Sequence, residues 1–352
     1  MQLLTIFTPA YNRKHTICRT YESLLRQTDM DFQWLIIDDG STDGTQEWVL
    51  SLSDKIEFCP EMYDWMGRRI TEPATSGLSN QDRAQNHSHF KIEVQKPSCA
   101  KFSIEYVKKP NGGLYTGYNV AYDLIDTELC VCIDSDDFAA DNTVELIKKT
   151  WRKHYPSKAS KLKSSVLTSK EYCGIIGLDF DMEGKPLGGY FPNDLTECYR
   201  SDLFINGIHK ADSKEVMRTD LMKRVAPQLG FEGEKNFNPS YMLAQVWDKY
   251  PLLVFNENLC NVEYQVGADS MSQGIWKQYV NSPHSYAKHR LMQMGLKRYP
   301  YSLKFKSAAH YVSSCIFSKD KEWLKKSPMK LTTLLAAPLG LAFNIVIRYK
   351  TR

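Results

Sequence analysis

The amino-acid sequence predicts an α/β protein with a Rossmann-like, mostly parallel central sheet flanked by helices. Two observations predict this fold class. Short apolar, β-prone runs alternate with segments of helical apolar spacing, and each early run ends in a polar or glycine-rich turn. Strands that alternate with helices pair in parallel through right-handed crossovers. A chain of 352 residues is long enough for one such domain with additions.

Four apolar runs in the first 150 residues predict the strands of the first half. Each run is short and is followed closely by Pro, Gly, Asn or Asp. Between them, apolar side chains recur at helical spacing, as at Ile17, Tyr21 and Leu24. Residues 59–103 show little periodicity and are interpreted as an insertion at the periphery of the sheet. The predicted order is strand 3–7, helix 14–27, strand 32–37, helix 45–52, strand 104–107, helix 116–126, strand 129–133 and a helix from 142.

The rest of the chain predicts a mixed segment, 151–280, and then a helical C-terminal region, 281–352. Apolar runs alternate less regularly in the mixed segment, whereas the C-terminal region has helical apolar spacing. The predicted elements are strand 174–180, helices 213–225 and 239–250, strands 252–255 and 259–264, and helices 283–296 and 301–318.

The C-terminal tail combines an apolar run with basic flanks. Residues 331–347, LTTLLAAPLGLAFNIVI, are interrupted by Pro338, Gly340 and Asn344, whereas a membrane-spanning helix needs roughly 20 cleaner residues. We therefore expect a segment that lies on an anionic membrane surface, the alternative being a helix packed on the domain. No acid follows Glu322, and six bases do: Lys325, Lys326, Lys330, Arg348, Lys350 and Arg352.

Charge and cysteine content exclude several classes of protein. The net charge of +4 resides in the tail, which leaves about −2 on residues 1–322 and no sign of a nucleic-acid-binding stripe. Nine cysteines without a CxxC pair predict a reducing compartment, with neither a disulfide framework nor a zinc site. The first residues predict a strand rather than a signal peptide. We therefore expect a cytoplasmic protein, peripheral on the inner face of the cell membrane.

The loops that follow the predicted strands should meet at one edge of the sheet. They are residues 8–12, 38–43, 111–113 and 134–137. In open parallel sheets, ligands bind beyond the carboxyl ends of the strands. The sequence therefore places a binding site among these four loops.

The loop after the fourth strand is acidic and predicts a cation site. Asp134, Asp136 and Asp137 follow the apolar run CVCI, and such carboxylates are costly to bury without a positive charge. Mg²⁺ and Mn²⁺ prefer oxygen ligands, usually one or two carboxylates completed by substrate phosphates. A solvated loop with a helix cap is the alternative.

Two further loops suggest nucleotide binding, and two known motifs are absent. Asp38 and Asp39 end the second strand, where a carboxylate accepts hydrogen bonds from a base or ribose, or caps a helix. Asn111, Gly112 and Gly113 permit close backbone approach. The sequence has no GxxxxGK[ST] loop and no GxGxxG after the first strand, which disfavours P-loop kinases and hydride-transfer enzymes.

Four ordered segments resemble the signatures of family 2 glycosyltransferases of the GT-A fold. They are TIFTPAYNR, QTDMDFQWLIIDDGSTDGT, KKPNGGLYTGYNVA and CVCIDSDDF, which span roughly residues 1–150. The later segments GEKNFNPSYMLAQV and EYQVGADSMS are similar to bacterial members that build surface polysaccharides. The resemblance implies a nucleotide-sugar-binding half at 1–150, an acceptor-binding half at 151–280 and a helical extension at 281–352.

The resemblance also implies roles for individual residues. The D-x-D string would hold ribose and a Mg²⁺ or Mn²⁺ ion through Asp136, Asp137 and Asp134. The nucleotide-diphosphate sugar, with a UDP-sugar as the expected form, would contact Thr8, Pro9, Tyr11, Asn12, Asp38, Asp39, Asn111, Gly112, Gly113, Asn119, Asp134, Ser135 and Asp136.

The family resemblance implies that an acid in the second half deprotonates the acceptor. Glu234 aligns best with the Gly-Glu-Lys pattern, and Glu232 is the second candidate. The non-catalytic alternative for Glu234 is a surface ion pair with Lys235. Asp212 and Asp220 are further candidates. The expected activity is an inverting, metal-dependent hexosyltransferase that acts on a glycan or lipid-linked acceptor. A catalytically silent nucleotide-sugar-binding protein and a sugar nucleotidyltransferase are the alternatives.

Overall fold

The central sheet has four adjacent parallel strands, β5-β2-β1-β6, extended on both sides by antiparallel pairing. The computed structural model describes residues 2–70, 87–95, 101–155, 171–263 and 274–352. Within these residues the strand order is β3-β4-β5-β2-β1-β6-β10-β8-β11-β7, with β9 on β11. The strands are β1 Leu4–Ala10, β2 Gln33–Asp38, β3 Ile56–Phe58, β4 Ser88–Gln95, β5 Lys101–Lys108, β6 Leu129–Cys132, β7 Phe138–Ala139, β8 Gly174–Phe180, β9 Glu197–Cys198, β10 Ser213–Arg218 and β11 Leu252–Asn261.

Helices connect the parallel strands and form the C-terminal region. The predicted fold class is confirmed, although the sheet as a whole is mixed: β10 runs antiparallel between β6 and β8. The helices are α1 Lys14–Leu25, α2 Thr45–Leu50, α3 Leu114–Leu124, α4 Thr143–His154, α5 Arg200–Ile205, α6 Thr219–Lys223, α7 Ser240–Trp247, α8 Ile275–Asn281, α9 Pro283–Gly295, α10 Tyr301–Ser318, α11 Trp323–Lys326 and α12 Lys330–Lys350.

Both faces of the sheet are buried, as expected for parallel strands covered by helices. Successive side chains of a strand point to opposite faces, so Leu4 and Ile6 of β1 enter one apolar cluster with Ile17 of α1. Phe7 enters the other cluster, where its ring meets that of Tyr118 of α3 edge-on at 5.1 Å. This two-sided burial fixes β1 in the middle of the sheet.

Three predicted segments differ in the structure. Residues 213–218, predicted as part of a helix, form strand β10, because Val216 and Met217 are buried on opposite faces between β6 and β8 and only 219–223 are helical. The two strands predicted within 252–264 are one strand, β11, with register shifts near Asn258. The predicted insertion contains β4, which pairs with β5, so its described residues extend the sheet. The end of the second predicted strand, from 264, lies outside the described residues.

Helix α12 packs on α10 through a face of small and polar side chains. A Cβ at Gly340 would come within 2.7 Å of the Ala309 carbonyl oxygen and of Val312, so only glycine permits this approach. Asn344 is buried and donates to the Ser313 carbonyl oxygen at 3.1 Å. The opposite face of α12 exposes large apolar side chains: Leu331, Leu334, Leu335, Leu339, Leu341, Ile345, Val346 and Tyr349. By length and composition, α12 is one helix in the described chain that could cross a membrane.

Candidate functional site at the carboxyl edge of the sheet

The four loops expected to converge lie together at the carboxyl ends of β5, β2, β1 and β6. Backbone hydrogen bonds join neighbouring loops: the amide of Asp39 donates to the Ala10 carbonyl oxygen at 2.8 Å. Asn12 connects the first two loops, since its amide donates to Ser41 Oγ at 2.8 Å and its Oδ1 accepts from the Thr42 amide at 2.8 Å. The edge is therefore a continuous surface rather than four independent turns.

Asp39 organises the glycine-rich loop. Its carboxylate accepts hydrogen bonds from the amides of Gly112 and Gly113, at 2.9 and 2.8 Å, and from Lys109 Nζ. The Asn111 side chain donates to the Asp39 carbonyl oxygen at 2.9 Å. Lys109 is fully buried, and burial lowers the pKa of its ammonium group although Asp39 opposes that shift. Much of the Asp39 carboxylate thus holds this loop in place.

The side chains of Thr8 and Asp38 are used inside the fold. Thr8 is buried, and its hydroxyl accepts from Trp34 Nε1 at 2.9 Å. Asp38 is also buried; its carboxylate accepts from the Tyr106 hydroxyl and from the Ser41 amide. Burial is the main cause that raises the pKa of Asp38, and the hydrogen bonds from Tyr106 and Ser41 oppose it. Through these hydrogen bonds, the two buried side chains stabilise the carboxyl edge from inside the fold.

Asn119 and Pro9 are likewise positioned by packing. Asn119 is buried in α3, and its amide bridges the carbonyl oxygens of Met66 and Gln228, at 2.8 and 3.0 Å, while its oxygen accepts from the Gln228 amide at 2.7 Å. Pro9 is buried against Gly117 of the same helix. Asn119 therefore joins distant parts of the chain behind the edge.

Tyr11 is the aromatic side chain that the first loop presents to solvent. It is half exposed, although it follows a strand that is buried throughout. Asn12 next to it has a positive φ of 53°, a conformation that asparagine tolerates better than most residues and that the hydrogen bonds to Ser41 and Thr42 stabilise here. This turn projects the Tyr11 ring outward, where a planar ligand can stack on it.

The acidic loop divides into an outer pair and an inner carboxylate. Asp134 and Asp136 are partly exposed, with Ser135 buried between them. Burial, followed by the charge of Asp134, raises the pKa of Asp136, although the nearby Arg13 opposes this. Among the described residues, neither Asp134 nor Asp136 has an ion-pair partner within 4 Å. Two such oxygen donors with excess negative charge fit a divalent cation.

Asp137 faces inward to Lys214. Lys214 Nζ lies 3.5 Å from the Asp137 carboxylate and 3.8 Å from that of Asp179, and all three side chains are buried. Burial, only partly offset by Lys214, raises the pKa of Asp137 to about 7 and that of Asp179 to about 6. One lysine thus serves two carboxylates directly behind the outer pair.

Glu234 caps helix α9 and lies beside the glycine-rich loop. Its carboxylate accepts from the amides of His284 and Ser285, at 3.0 and 2.7 Å, and its Oε1 lies 2.7 Å from His284 Nδ1. A Cβ at Gly113 would meet the Lys235 carbonyl oxygen at 2.1 Å, so Gly113 brings this segment against the Asp39 loop. The hydrogen-bond partners of Glu234 are thus on α9, and Lys235 is not among them. Glu232, the second candidate base, is exposed.

Two lysines of this edge were not predicted. The sequence offered one signal for Lys109, which directly precedes Pro-Asn-Gly-Gly. For Lys214 it offered none, because 213–225 was predicted as a helix. A basic side chain buried behind an acidic loop becomes visible only once the strand order is known.

A cavity lies at the opposite edge of the sheet. It has a volume of about 710 Å³ and is lined by Asp220, one of the further candidate bases, but by no other predicted site residue. Arg218 in its wall pairs with Glu171 and Asp220, at 2.8 and 2.9 Å. The charge of Arg218 is thus paired within the protein, in contrast to the charges of Asp134 and Asp136.

A four-stranded parallel core with an acidic loop and a glycine-rich loop at its carboxyl edge places the chain in the class of GT-A folds. The solved structure of Staphylococcus aureus TarS 1-349 in complex with UDP-GlcNAc has a TM-score of 0.51 to this chain, with 14% sequence identity, over 95% of this chain and 79% of that one. At this identity the likeness shows the fold alone.

The N-terminal part of the chain is similar in sequence to a known family. Residues 5–80 match the model for glycosyl transferase family 2, which confirms the predicted resemblance. Validoxylamine A glucosyltransferase of Streptomyces hygroscopicus subsp. jinggangensis is 35% identical over 77 residues, 21% of this chain and 18% of that protein. The Escherichia coli UDP-Glc:alpha-D-GlcNAc-diphosphoundecaprenol beta-1,3-glucosyltransferase WfgD is 42% identical over 52 residues, 15% of this chain and 21% of that protein. The matches thus span about a fifth of each curated relative.

Proposed function

We propose that this protein transfers a hexose from a nucleotide-diphosphate sugar, with UDP as the expected nucleotide, to a hydroxyl of a glycan or lipid-linked acceptor. The observation that carries the proposal is the carboxyl edge of the sheet, where the half-exposed Tyr11 follows β1, and Asp134 and Asp136, which have no ion-pair partner among the described residues, follow the adjacent parallel strand β6. A base stacks on a flat surface, a ribose binds to hydrogen-bond acceptors, and a diphosphate needs positive charge. The printed names of the curated relatives support the same reaction class.

The donor would be oriented by the loops around Asp39. We assign stacking of the base to Tyr11 and contact with the ribose to Asp134. Asp136 and Asp134 would hold a Mg²⁺ or Mn²⁺ ion, with Asp137 behind them. When bound, such an ion neutralises charge that develops on the departing diphosphate. The buried hydrogen bonds of Asp39 keep the backbone of Gly112 and Gly113 close to this space.

The acceptor's proton would pass to the Glu234–His284 pair. In the transfer, the acceptor oxygen bonds to the anomeric carbon, the bond to the diphosphate oxygen breaks from the opposite side, and the configuration inverts. The amides of His284 and Ser285 already donate to the two carboxylate oxygens of Glu234, so both oxygens are engaged in hydrogen bonds within the protein. His284 is half exposed, and its Nδ1 bond to Glu234 leaves Nε2 as a proton acceptor oriented by a carboxylate.

The exposed face of α12 would bind the protein to a membrane. Eight large apolar side chains lie on this face, and lysines and arginines flank both ends of the helix. Apolar burial in the acyl region and attraction of the bases to anionic lipid act together in such helices. This surface would bring the donor site to a lipid-linked acceptor on the inner face of the membrane.

A product assay distinguishes this function from the alternatives. The full chain is incubated with UDP-sugars, Mn²⁺ and a polyprenyl-diphosphate-linked sugar, and the products are separated. Transfer predicts release of UDP that depends on the acceptor, and a glycosylated acceptor of inverted configuration. Donor binding without either product would support a silent binding protein. Pyrophosphate released from a sugar 1-phosphate and UTP would support a nucleotidyltransferase.

A further inference from the structure

Three side chains of metal-binding type meet next to the carboxyl end of β5. A thiol sulfur of Cys59, a carboxylate oxygen of Glu61 and a ring nitrogen of His89 all lie within 4.8 Å of one another. Cys59 directly follows β3, and its amide donates to the His89 carbonyl oxygen at 2.9 Å. Because β3 and β4 are antiparallel, Cys59 and His89 are cross-strand neighbours on one face. The sheet itself therefore fixes their proximity.

The hydrogen bonds of His89 determine which nitrogen is free. His89 Nε2 lies 2.7 Å from Glu105 Oε1. The Glu105 carboxylate is buried and already accepts a hydrogen bond from Gln33, so Nε2 is expected to donate to it as well. In the neutral ring Nε2 then carries the proton, and Nδ1 is left as a bare lone pair. The His89 side chain is only 2% exposed, and among the described residues Nδ1 has no hydrogen-bond partner.

The free nitrogen points at a second electron-rich group. His89 Nδ1 lies 3.3 Å from Glu61 Oε2. Two acceptors at this distance repel each other unless a cation or a proton lies between them. Imidazole, thiolate and carboxylate are together the ligand set that Zn²⁺ takes in proteins, whereas Mg²⁺ and Mn²⁺ favour oxygen alone.

We propose that Cys59, Glu61 and His89 bind a Zn²⁺ ion through Sγ, a carboxylate oxygen and Nδ1, with water in the fourth position. Glu105 is the residue that orients His89, as carboxylates commonly do for zinc-bound histidines. The proposal reverses the expectation, drawn from the cysteine spacing, that the chain has no zinc site; Cys59 and His89 are 30 residues apart and neither belongs to a metal-binding motif. This site is separate from the proposed Mg²⁺ or Mn²⁺ site at Asp136.

The ion would clamp the segment that backs the glycine-rich loop. The Trp65 carbonyl oxygen, six residues after Cys59, accepts from Lys109 Nζ at 3.2 Å. A Cβ at Gly112 would lie 1.8 Å from the same oxygen, so this segment forms the wall behind Gly112. Zinc at Cys59 and Glu61 would therefore hold that wall to β4.

An arrangement without metal is the competing explanation. A doubly protonated His89 could bridge Glu61 and Glu105 at the same distances. Arg69 lies 3.6 Å from the Glu61 carboxylate, and Lys91 lies 3.6 Å from that of Glu105. That arrangement does not use the thiol. The two explanations therefore differ in what they require of Cys59.

The test measures zinc and cobalt in the full chain. The protein is stripped with chelator, loaded with Co²⁺, and the near-ultraviolet cobalt–thiolate absorption is recorded; zinc content is measured on untreated protein. We expect stoichiometric zinc and a thiolate band in the wild type, both lost in Cys59→Ser and kept in Cys18→Ser, another partly exposed thiol. Glu105→Gln should fold and bind Zn²⁺ about 10- to 100-fold more weakly.

The outcome is independent of the proposed transfer reaction. Asp136→Ala should keep both zinc and the cobalt band, because it removes a ligand only from the other site. Absence of zinc and of the band in the wild type would overturn the proposal, as would a band that survives Cys59→Ser. Loss of the band in Cys18→Ser would place the metal elsewhere and also overturn it.

Discussion

Lys109 Nζ donates to the Asp39 carboxylate inside the carboxyl edge of the sheet, and neither side chain is exposed by more than a tenth. In the structure the Asp39 carboxylate holds the backbone of Gly112 and Gly113, and its contact with the nucleotide stays a prediction. Lys109 also donates to the Trp65 carbonyl oxygen. The ion pair thus joins three segments that surround the proposed donor site.

Replacement of Lys109 by Met should destabilise the protein and weaken donor binding. Removal of one partner of a buried ion pair leaves an uncompensated charge, which costs about 3–5 kcal/mol. We expect a loss of that order in the free energy of unfolding by urea titration. Lys55→Met, on an exposed lysine, is the control and should change little. Equal stability of the two variants would show that the pair does not hold the loop.

The pKa of Asp137 predicts how stability depends on pH. Burial raises this pKa to about 7, against about 3.9 in an unfolded chain, so between these values the folded state binds more protons. The stabilisation that protonated Asp137 gives the folded state is therefore present at about pH 4 and is lost as the pH rises through 7. Asp137→Asn should stabilise the protein at pH 8, by roughly 4 kcal/mol at about 1.4 kcal/mol for each pKa unit, and not at pH 4.

Thermal melts at pH 4, 6 and 8 without divalent cation check this expectation. Asp194→Asn, an exposed position, is the matched control. If Asp137→Asn is less stable than the wild type at pH 8, the Lys214 ion pair outweighs the cost of burying the charge. The same variant should bind the donor less tightly in Mn²⁺, since it removes a carboxylate behind the proposed cation site.

Substitutions at Glu234 and His284 should separate proton transfer from donor binding. Glu234→Gln and His284→Gln are each expected to lower kcat by about 100-fold or more, the usual size of a general-base effect. Donor affinity should change little in both. Glu234→Gln should also lower stability by about 1 kcal/mol, because it weakens the cap of α9. Full activity in His284→Gln would leave Glu234 alone as the base.

The exposed face of α12 should control membrane binding. Leu335→Lys and Leu339→Lys together place two charges where an amphipathic helix would insert, so binding to vesicles with anionic lipid should fall strongly in co-sedimentation. Leu229→Lys is the control, because Leu229 is an exposed leucine outside the C-terminal region. Unchanged sedimentation of the double variant would exclude this face as the docking surface.

The sequence predicted the parts of the site that are continuous in the chain. Periodicity located the strands before Tyr11, Asp39 and Asp134, and the parallel order followed from strand–helix alternation. The prediction was wrong at β10, because the sequence around Lys214 is compatible with a helix. Only pairing with the neighbouring strands β6 and β8 makes this segment a strand. Contacts between distant segments, such as His284 with Glu234, leave no local signal.

Calorimetric titration of UDP-sugars with and without Mn²⁺ tests the central claim, that Asp136 at the edge of the sheet holds the donor through a divalent cation. Wild-type protein is compared with Asp136→Asn and with Asp126→Asn, an exposed aspartate at the opposite edge. We predict tight binding only with Mn²⁺, at least about 10-fold weaker in Asp136→Asn and unchanged in Asp126→Asn. Equal affinity of Asp136→Asn and wild type in Mn²⁺ would contradict the account.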